Sequence, residues 1–479
     1  NENFSEWYSQ VIQKADLADI RYGIQGFIVH RPWSFAIIKK LYNFLEEEIE
    51  SQGHEAYLFP IAVKEKDLTK EAEHANFTPE VFWITEAGSE KIEERFALRP
   101  TGEAQIYPMY SLWFRSHKEL PFKGYQSRHT VFRNEMTTRP FLRGREFLFF
   151  ESHDVFNTHQ EALNQIKDDL NTCEKVIKGK AKIPFLYFKR PQWDKFKGAD
   201  NTFTPDTLMP DGKRNQLAST HDLGTNFAKA YDIKVKGEDG EDHFVWQTCF
   251  GPGIWRIMAA LIGIHGDDKG LIVPFDMAPL HAVIVPILFT DEAKAKNVLS
   301  FCKEIENELK KNGYKVKLDD TDETPGFKYN KWELKGVPLR IEIGPKEVEK
   351  NSVCIVLRTN GKKEFVPVKN LIKAVKNSAL QLDKDINERA EQYFKDNTRD
   401  ASSMKELKET IVKYKGFIRV PFCSVDNDGK ECADMLKTET EGGNVCGTLY
   451  PKEEKVKSGQ KCVVCGKKAN HTVYVAKSY

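Results

Sequence analysis

Polar and apolar positions along this chain fall into blocks of different period. The run Trp33 to Gln52 has the spacing of a helix with one buried face. Around Phe132, and again from Phe147 through Glu151, aromatic and polar residues alternate, which predicts two antiparallel strands joined by a short loop. Gln247-Thr-Cys-Phe-Gly251 begins like a strand and runs into an apolar helix, Ile257 to Ile264. Further on, His281-Ala-Val-Ile-Val-Pro-Ile is a buried-strand run, Asp291 to Asn312 has helical spacing, and Val316-Lys-Leu and Val353-Cys-Ile-Val-Leu are two more strands. Strand, helix, strand, helix in this order predicts a small α/β unit with helices against a sheet. A charged helical run from about Asn370 to Tyr414 then leads to a compact last module. No internal repeat or low-complexity segment interrupts the pattern. The expected division is 1–279, 280–385 and 386–479.

Composition narrows the class. With 479 residues, 40% hydrophobic and 30% charged, the chain reads as an ordinary soluble protein of several domains. A formal net charge of +1 supplies no global field for nucleic acid, so any RNA contact must use local basic patches. No apolar run reaches the roughly 18 residues of a membrane span, and Asn1-Glu-Asn-Phe-Ser-Glu-Trp7 lacks a basic-then-apolar signal pattern. A cytoplasmic protein without membrane contact is expected. Among nine cysteines, Cys173, Cys249, Cys302 and Cys354 stand alone, while Cys423, Cys432, Cys446, Cys462 and Cys465 crowd the last segment. An odd total with isolated members suits a reducing compartment and a metal site better than a disulfide framework.

The hairpin carries the most chemistry. On a strand, residues i and i+2 share a face, so Arg133 and Glu135 are expected to point at one ligand. A guanidinium holds an α-phosphate through two parallel N–H bonds, and a carboxylate accepts from an adenine amino group. Phe147 offers a face for a purine to stack on. No Gly-x-x-x-x-Gly-Lys-Ser/Thr loop occurs, so side chains must hold the phosphates.

Phe132-Arg133-Asn-Glu135 with Arg143-Gly-Arg-Glu-Phe147-Leu-Phe-Phe-Glu151 resembles motif 2 of class II aminoacyl-tRNA synthetases. Gly53-His-Glu-Ala-Tyr-Leu-Phe-Pro60 is similar to motif 1, whose role in that family is the dimer interface. Arg99-Pro-Thr101-Gly-Glu103 and His265-Gly-Asp-Asp-Lys-Gly270 narrow the resemblance to the prolyl branch of class IIa. Pro325-Gly-Phe-Lys-Tyr-Asn-Lys-Trp332-Glu333 through Gly344-Pro345 is close to its anticodon-domain signature, and Ala476-Lys-Ser-Tyr479 resembles the archaeal and eukaryotic type. The likeness covers nearly the whole length. It implies an antiparallel catalytic sheet flanked by helices over 1–279, an α/β anticodon-binding domain over 280–385 and a small zinc-containing α+β domain over 386–479. The implied assembly is a homodimer.

The same resemblance implies roles. Amino-acid activation joins a carboxylate to the α-phosphate of magnesium-bound ATP, so it needs charge neutralisation and in-line placement. Arg133, Arg143 and Arg256 match the family's phosphate and nucleotide contacts, with Gln216 and Ser219 on the ATP side. Motif 3 corresponds to Gln247 through Arg256, but it lacks the usual small hydroxyl residue before the arginine and holds one extra residue. L-Proline has only two N–H donors and an apolar ring, so its pocket needs an anionic acceptor beside a dry wall. Thr101, Glu103, Arg133 and His221 match proline contacts, and Phe149, Glu151 and His153 follow motif 2. Thr225 stands where the family usually has glutamine. A missing methylene is worth only about 1–3 kcal/mol in such a pocket, so alanine and cysteine should leak through. Glu151 and Gly251 are too close in sequence to enclose an inserted editing domain, so proofreading would need a separate factor.

For tRNA(Pro), the resemblance points to Glu333, Arg340 and Lys346 as anticodon contacts. An acidic side chain accepts from the N1 and N2 donors of guanine, the base common to proline anticodons. Cys462-Val-Val-Cys465-Gly466 has the spacing of a zinc knuckle, and Cys423 with Cys432 offers a second ligand pair, with Cys446 as a competitor. Such a zinc would be structural. Two other readings stand beside this one: a threonyl or glycyl enzyme of the same class, and a catalytically silent relative that binds tRNA.

Overall fold

Alternation along the two hairpin strands places one side of each in a core and leaves the other for chemistry. In the computed structural model, which describes residues 3–75, 80–288 and 290–479, the strands Phe122–Phe132 and Glu146–Phe156 pair antiparallel from Phe122 opposite Val155 to Phe132 opposite Glu146. They lie within a twelve-stranded sheet of the described residues. From one edge the order is Glu55–Ala56, Phe122–Phe132, Glu146–Phe156, Trp246–Pro252, Ala218–Gly224, Asn201–Leu208 and Leu186–Lys189. It continues through Gly443–Leu449, His471–Lys477 and Phe417–Phe422 to Thr398–Asp400, with Arg214–Gln216 paired to Asn201–Leu208. Only the outermost pair at each edge is parallel.

The helix Pro32–Glu50 starts with proline at its first turn, where no N–H is needed. It buries Ile37, Ile38, Leu41, Tyr42, Leu45 and Ile49, which share a core with Phe150, Phe250 and the apolar helix Ile254–His265. Odd positions on the strand Glu146–Phe156, among them Phe149, Glu151 and His153, face the opposite way.

The α/β unit is a five-stranded sheet ordered Val316–Leu318, Ala282–Pro286, Leu339–Ile343, Ser352–Leu357, Lys363–Pro367, the first three parallel and the rest antiparallel. Its helix Glu292–Lys311 is capped by Asp291, whose carboxylate accepts from the N–H groups of Ala293 and Lys294. Val298, Ile305 and Leu309 from that helix share one core with Leu371, Val375, Leu382 and Ile386 of the long helix Leu371–Asp396. This helix spans the position where the sequence divides 280–385 from 386–479. Asp267 and Arg358, paired at 2.6 Å, tie the unit to the helices of the large sheet.

Two expectations change, and one junction between modules comes only from the structure. The charged run after Asn370 is not one helical linker: Asn397 ends the first helix, Thr398–Asp400 pairs in parallel with Phe417–Arg419, and a second helix occupies Met404–Lys413. The partner strand lies beyond the reach of a local period, so composition gave no sign of it. The last module keeps a core of its own, but its strand Gly443–Leu449 also joins the large sheet, where Thr448 and Leu449 pair with Lys189 and Phe188. Finally, Arg133 and Glu135 stand beyond the ladder, which ends at Phe132. The Arg133 N–H still reaches Arg145, but Glu135 N–H turns back to the Arg133 carbonyl at 2.8 Å. Pairing resumes only at the bridge between Arg139 and Arg143, which closes a tight turn holding Pro140 and Phe141, the latter at positive φ.

Candidate active site

Loop and strand ends converge on one cavity of about 390 Å³. Arg133, Glu135, Arg143 and Phe147 enter from the hairpin, and Gln216, Ser219 and Arg256 from across the sheet. Thr101, Glu103, Phe149, Glu151 and His221 line it as well. His153 alone among the sequence-derived nucleotide and proline candidates lies behind the wall, supporting Glu151.

One end of the cavity is cationic. Arg256 sits in the first turn of the helix Ile254–His265, directly after a Gly253 at which a Cβ would come within 3.2 Å of the Leu217 carbonyl oxygen. Burial pushes the Arg256 guanidinium down to about 10, and the charges of Arg133, Arg143 and Arg214 push the same way. Such a cluster of like charges favours an anionic ligand. Glu135 and Arg143 pair at 3.2 Å, and Arg143 also donates to the Tyr479 carbonyl oxygen at 2.7 Å. Phe147 lies edge-on to Phe149 and is tilted against Trp255.

The other end is acidic, dry and tightly held. Glu151 is 2% exposed and accepts from Gln126 at 2.7 Å, with His129 and His153 at 3.1 and 3.0 Å. A register shift between Gln126 and His129 brings both residues onto the same carboxylate. Burial opposes the Glu151 charge, yet the hydrogen bonds from the two histidines outweigh it and hold the carboxyl well below the usual range. Burial likewise opposes charge on His153, but Glu151, with Glu103 and Asp154, raises its pKa. Tyr107 completes the other ring nitrogen of His153 at 2.9 Å. Gly102 leaves no room for a side chain, since a Cβ there would meet the Glu151 carboxylate at 2.3 Å. Glu103 begins the helix Glu103–Trp113, and its carboxylate, His153 and Cys249 place donor atoms within 4.8 Å of one another. His221 is pushed down to about 3 by burial, so it is neutral; its Nδ1 meets the Thr202 hydroxyl at 2.9 Å and its ring lies against Phe196.

Sequence reasoning missed Arg190, Arg214 and Cys249. Arg190 is buried, binds Asp206 at 2.8 Å, donates to the Gln216 Oε1 at 3.1 Å and to the Cys446 carbonyl at 2.8 Å. These partners lie too far along the chain for any local spacing to reveal them. Cys249 stood in the motif 3 strand, and strand parity with His153 across the pair would have placed it at the slot.

In the α/β unit, Arg340 binds Glu333 at 2.8 Å and Glu342 at 3.0 Å and lies 4.0 Å over the Tyr329 ring. Burial opposes charge on Glu333, but Arg340 and Lys269 keep its carboxyl below the ordinary value. Lys346 is exposed beyond the end of the strand Leu339–Ile343. In the last module the sulfurs of Cys423, Cys432, Cys462 and Cys465 lie within 4.8 Å of one another. Cys446 is elsewhere, buried near Arg214 with its thiol toward the Asn444 carbonyl. All nine cysteines are free thiols.

Fold and cavity define a class II synthetase core, and residues 82–265 match the family model "tRNA synthetase class II core domain (G, H, P, S and T)". Residues 281–378 match "Anticodon binding domain" and 404–479 match "Prolyl-tRNA synthetase, C-terminal". A proline–tRNA ligase of Thermofilum pendens is 50% identical over 483 residues, covering 100% of this chain and 98% of the relative. One of Methanosarcina mazei is 38% identical, covering 100% and 97%. The Giardia lamblia prolyl-tRNA synthetase solved with prolyl-adenylate superposes with a TM-score of 0.95 at 33% identity, covering 100% of this chain and 98% of that one. The Cryptosporidium parvum enzyme solved with halofuginone and AMPPNP gives 0.92 at 33%, covering 100% and 95%. The chain belongs to the prolyl-tRNA synthetase family.

Proposed function

We propose that this chain activates L-proline with ATP, releasing pyrophosphate, and passes proline from the adenylate to the 3′ end of tRNA(Pro). The observation that carries this reading is the polarity of one cavity: guanidinium groups at one end, a buried carboxylate slot at the other. ATP enters as its magnesium complex. Phe147 stacks on adenine, Glu135 accepts from its amino group, and Arg143 and Arg256 neutralise the phosphates. Arg133 draws the proline carboxylate against the α-phosphate; the attacking oxygen forms a bond to phosphorus as pyrophosphate leaves, with its charge held by arginines. Glu103 and Thr101 take the two N–H donors of the imino acid, while His221, Phe149 and the fixed Glu151 shape the slot. The neutral His221 adds no charge beside the ammonium.

The four clustered thiols fit a structural zinc: donor number, softness and mutual spacing agree with a closed tetrahedral site. Bound there, the metal would hold the last module together and take no part in the reaction. Leu58, Ile61, Leu112 and Trp113 expose an apolar patch around the motif 1 strand, which supports a homodimer. No helix of the described residues is long and apolar enough to cross a membrane, and free thiols throughout support a cytoplasmic setting. Any proofreading of alanine falls to a separate editing factor.

Exchange of pyrophosphate into ATP, run with proline beside threonine, glycine, alanine and cysteine, tests the reading. Proline should dominate, with weak alanine and cysteine signals. Silence with proline would favour a tRNA-binding relative without catalysis, and a threonine or glycine response would move the chain to another branch of the class.

A further inference from the structure

The α/β unit has two unlike sheet faces. Ile341, Val353, Ile355 and Val366 point into its core. On the other face, Arg340 stands opposite Val356 and then Lys363, and Glu342 opposite Cys354 and then Phe365. Directly opposed residues leave a sheet on the same side, so Phe365 shares this face with the Glu333–Arg340–Glu342 row. Lys363 closes onto Glu342 at 2.8 Å. The Tyr329 ring is covered by Arg340, but Phe365 is 65% exposed on the edge strand. Edge strands ordinarily carry charges that discourage pairing, as the neighbouring Lys362, Lys363 and Glu364 do. The Phe365 ring is left largely to solvent among them.

We propose that Phe365 is a stacking platform for an unpaired base of the tRNA anticodon loop. Unstacked loop bases are recognised by an aromatic face together with polar groups that read their edges, and cations nearby hold the backbone. Two strand spacings, about 10 Å, separate Phe365 from the Arg340 and Glu342 strand, so adjacent nucleotides reach both. The proposal rests on the ligase reading and names where its RNA substrate is held.

The test compares Phe365→Ala, Phe365→Leu, Phe365→Tyr and Phe365→Trp in the full chain by aminoacylation of tRNA(Pro). The exchange reaction, which needs no tRNA, reports the integrity of the catalytic domain. Alanine should raise the KM for tRNA about tenfold; tyrosine and tryptophan should restore it, and leucine should not. An unchanged KM in Phe365→Ala, or rescue by leucine as full as by tryptophan, would overturn the proposal while leaving the ligase reading intact. Absence of proline-dependent exchange in the unaltered chain would overturn the ligase reading and this proposal with it.

Discussion

Glu151 and His153 stand two residues apart on one strand, joined at 3.0 Å, with both side chains 2% exposed. Such a pair is costly to bury and is stable only while every partner is present. Glu151→Gln should therefore lower stability by about 3–5 kcal/mol, because histidines set to meet a carboxylate lose it. Urea unfolding would measure the loss, and the KM for proline should rise with it. A loss under 1 kcal/mol would mean that the slot relaxes around a neutral group.

The same pair gives stability a pH dependence of known sign. The Glu151 carboxyl is depressed, so its contribution is present above the ordinary carboxylate pKa and fades only as pH falls through the much lower folded value. His153 is raised above its ordinary 6.5, so its contribution is full below that value and fades as pH rises through the folded one. Burial holds His30, His221, His265 and His281 below 6.5, and these groups gain stability as pH rises. The pair is therefore read as a difference: the stabilisation of the parent chain over Glu151→Gln, monitored by thermal melting from pH 6 upward, should shrink as pH rises. Parallel curves would assign the dependence to other groups.

Arg190 reaches Gln216 from just beyond the strand Leu186–Lys189, which also borders the last module. It donates to the Gln216 Oε1, which on the proposed reading would turn that amide toward the nucleotide, and it is itself held by Asp206 and the Cys446 carbonyl. Arg190→Lys keeps a charge but not the planar fork. The KM for ATP should rise several-fold with the KM for proline little changed, as read by exchange kinetics. Equal effects on both substrates would point to general loosening.

How much of this was legible follows the range of the interactions. The hairpin, the Asp291-capped helix and the cysteine pairs are local patterns, and the structure has them where the spacing put them. Cys446, left open as a zinc ligand, was resolvable only in three dimensions, because its strand runs toward Arg190 and away from the thiol cluster. Arg133 and Glu135 reach the cavity, yet through a turn that alternation alone does not foresee. The Thr398–Asp400 strand and the Arg190 network depend on partners distant in sequence, for which a period of 2 or 3.6 carries no signal.

Continuity of the sheet links the cysteine cluster to catalysis. Cys462→Ser should abolish binding of the proposed zinc and destabilise the module, since a structural zinc supplies about 10–16 kcal/mol of apparent binding energy. Because Thr448 and Leu449 extend the catalytic sheet and Cys446 supports Arg190, proline-dependent exchange should fall as well. Cys446→Ala, in contrast, should retain full metal content by elemental analysis. Metal loss in Cys446→Ala would reassign the ligand set.

Arg256 separates function from stability. It is half-buried beside Arg133, Arg143 and Arg214, and both desolvation and repulsion work against its charge until an anion arrives. Arg256→Ala should reduce exchange by about 10²–10³-fold, the usual cost of removing one donor aimed at developing charge. The melting temperature without ATP should hold or rise, because the substitution removes repulsion along with packing. The stabilisation that ATP gives the parent chain should shrink. A variant that melts much earlier yet exchanges pyrophosphate normally would show that Arg256 braces the helix start and leaves the phosphates to its neighbours.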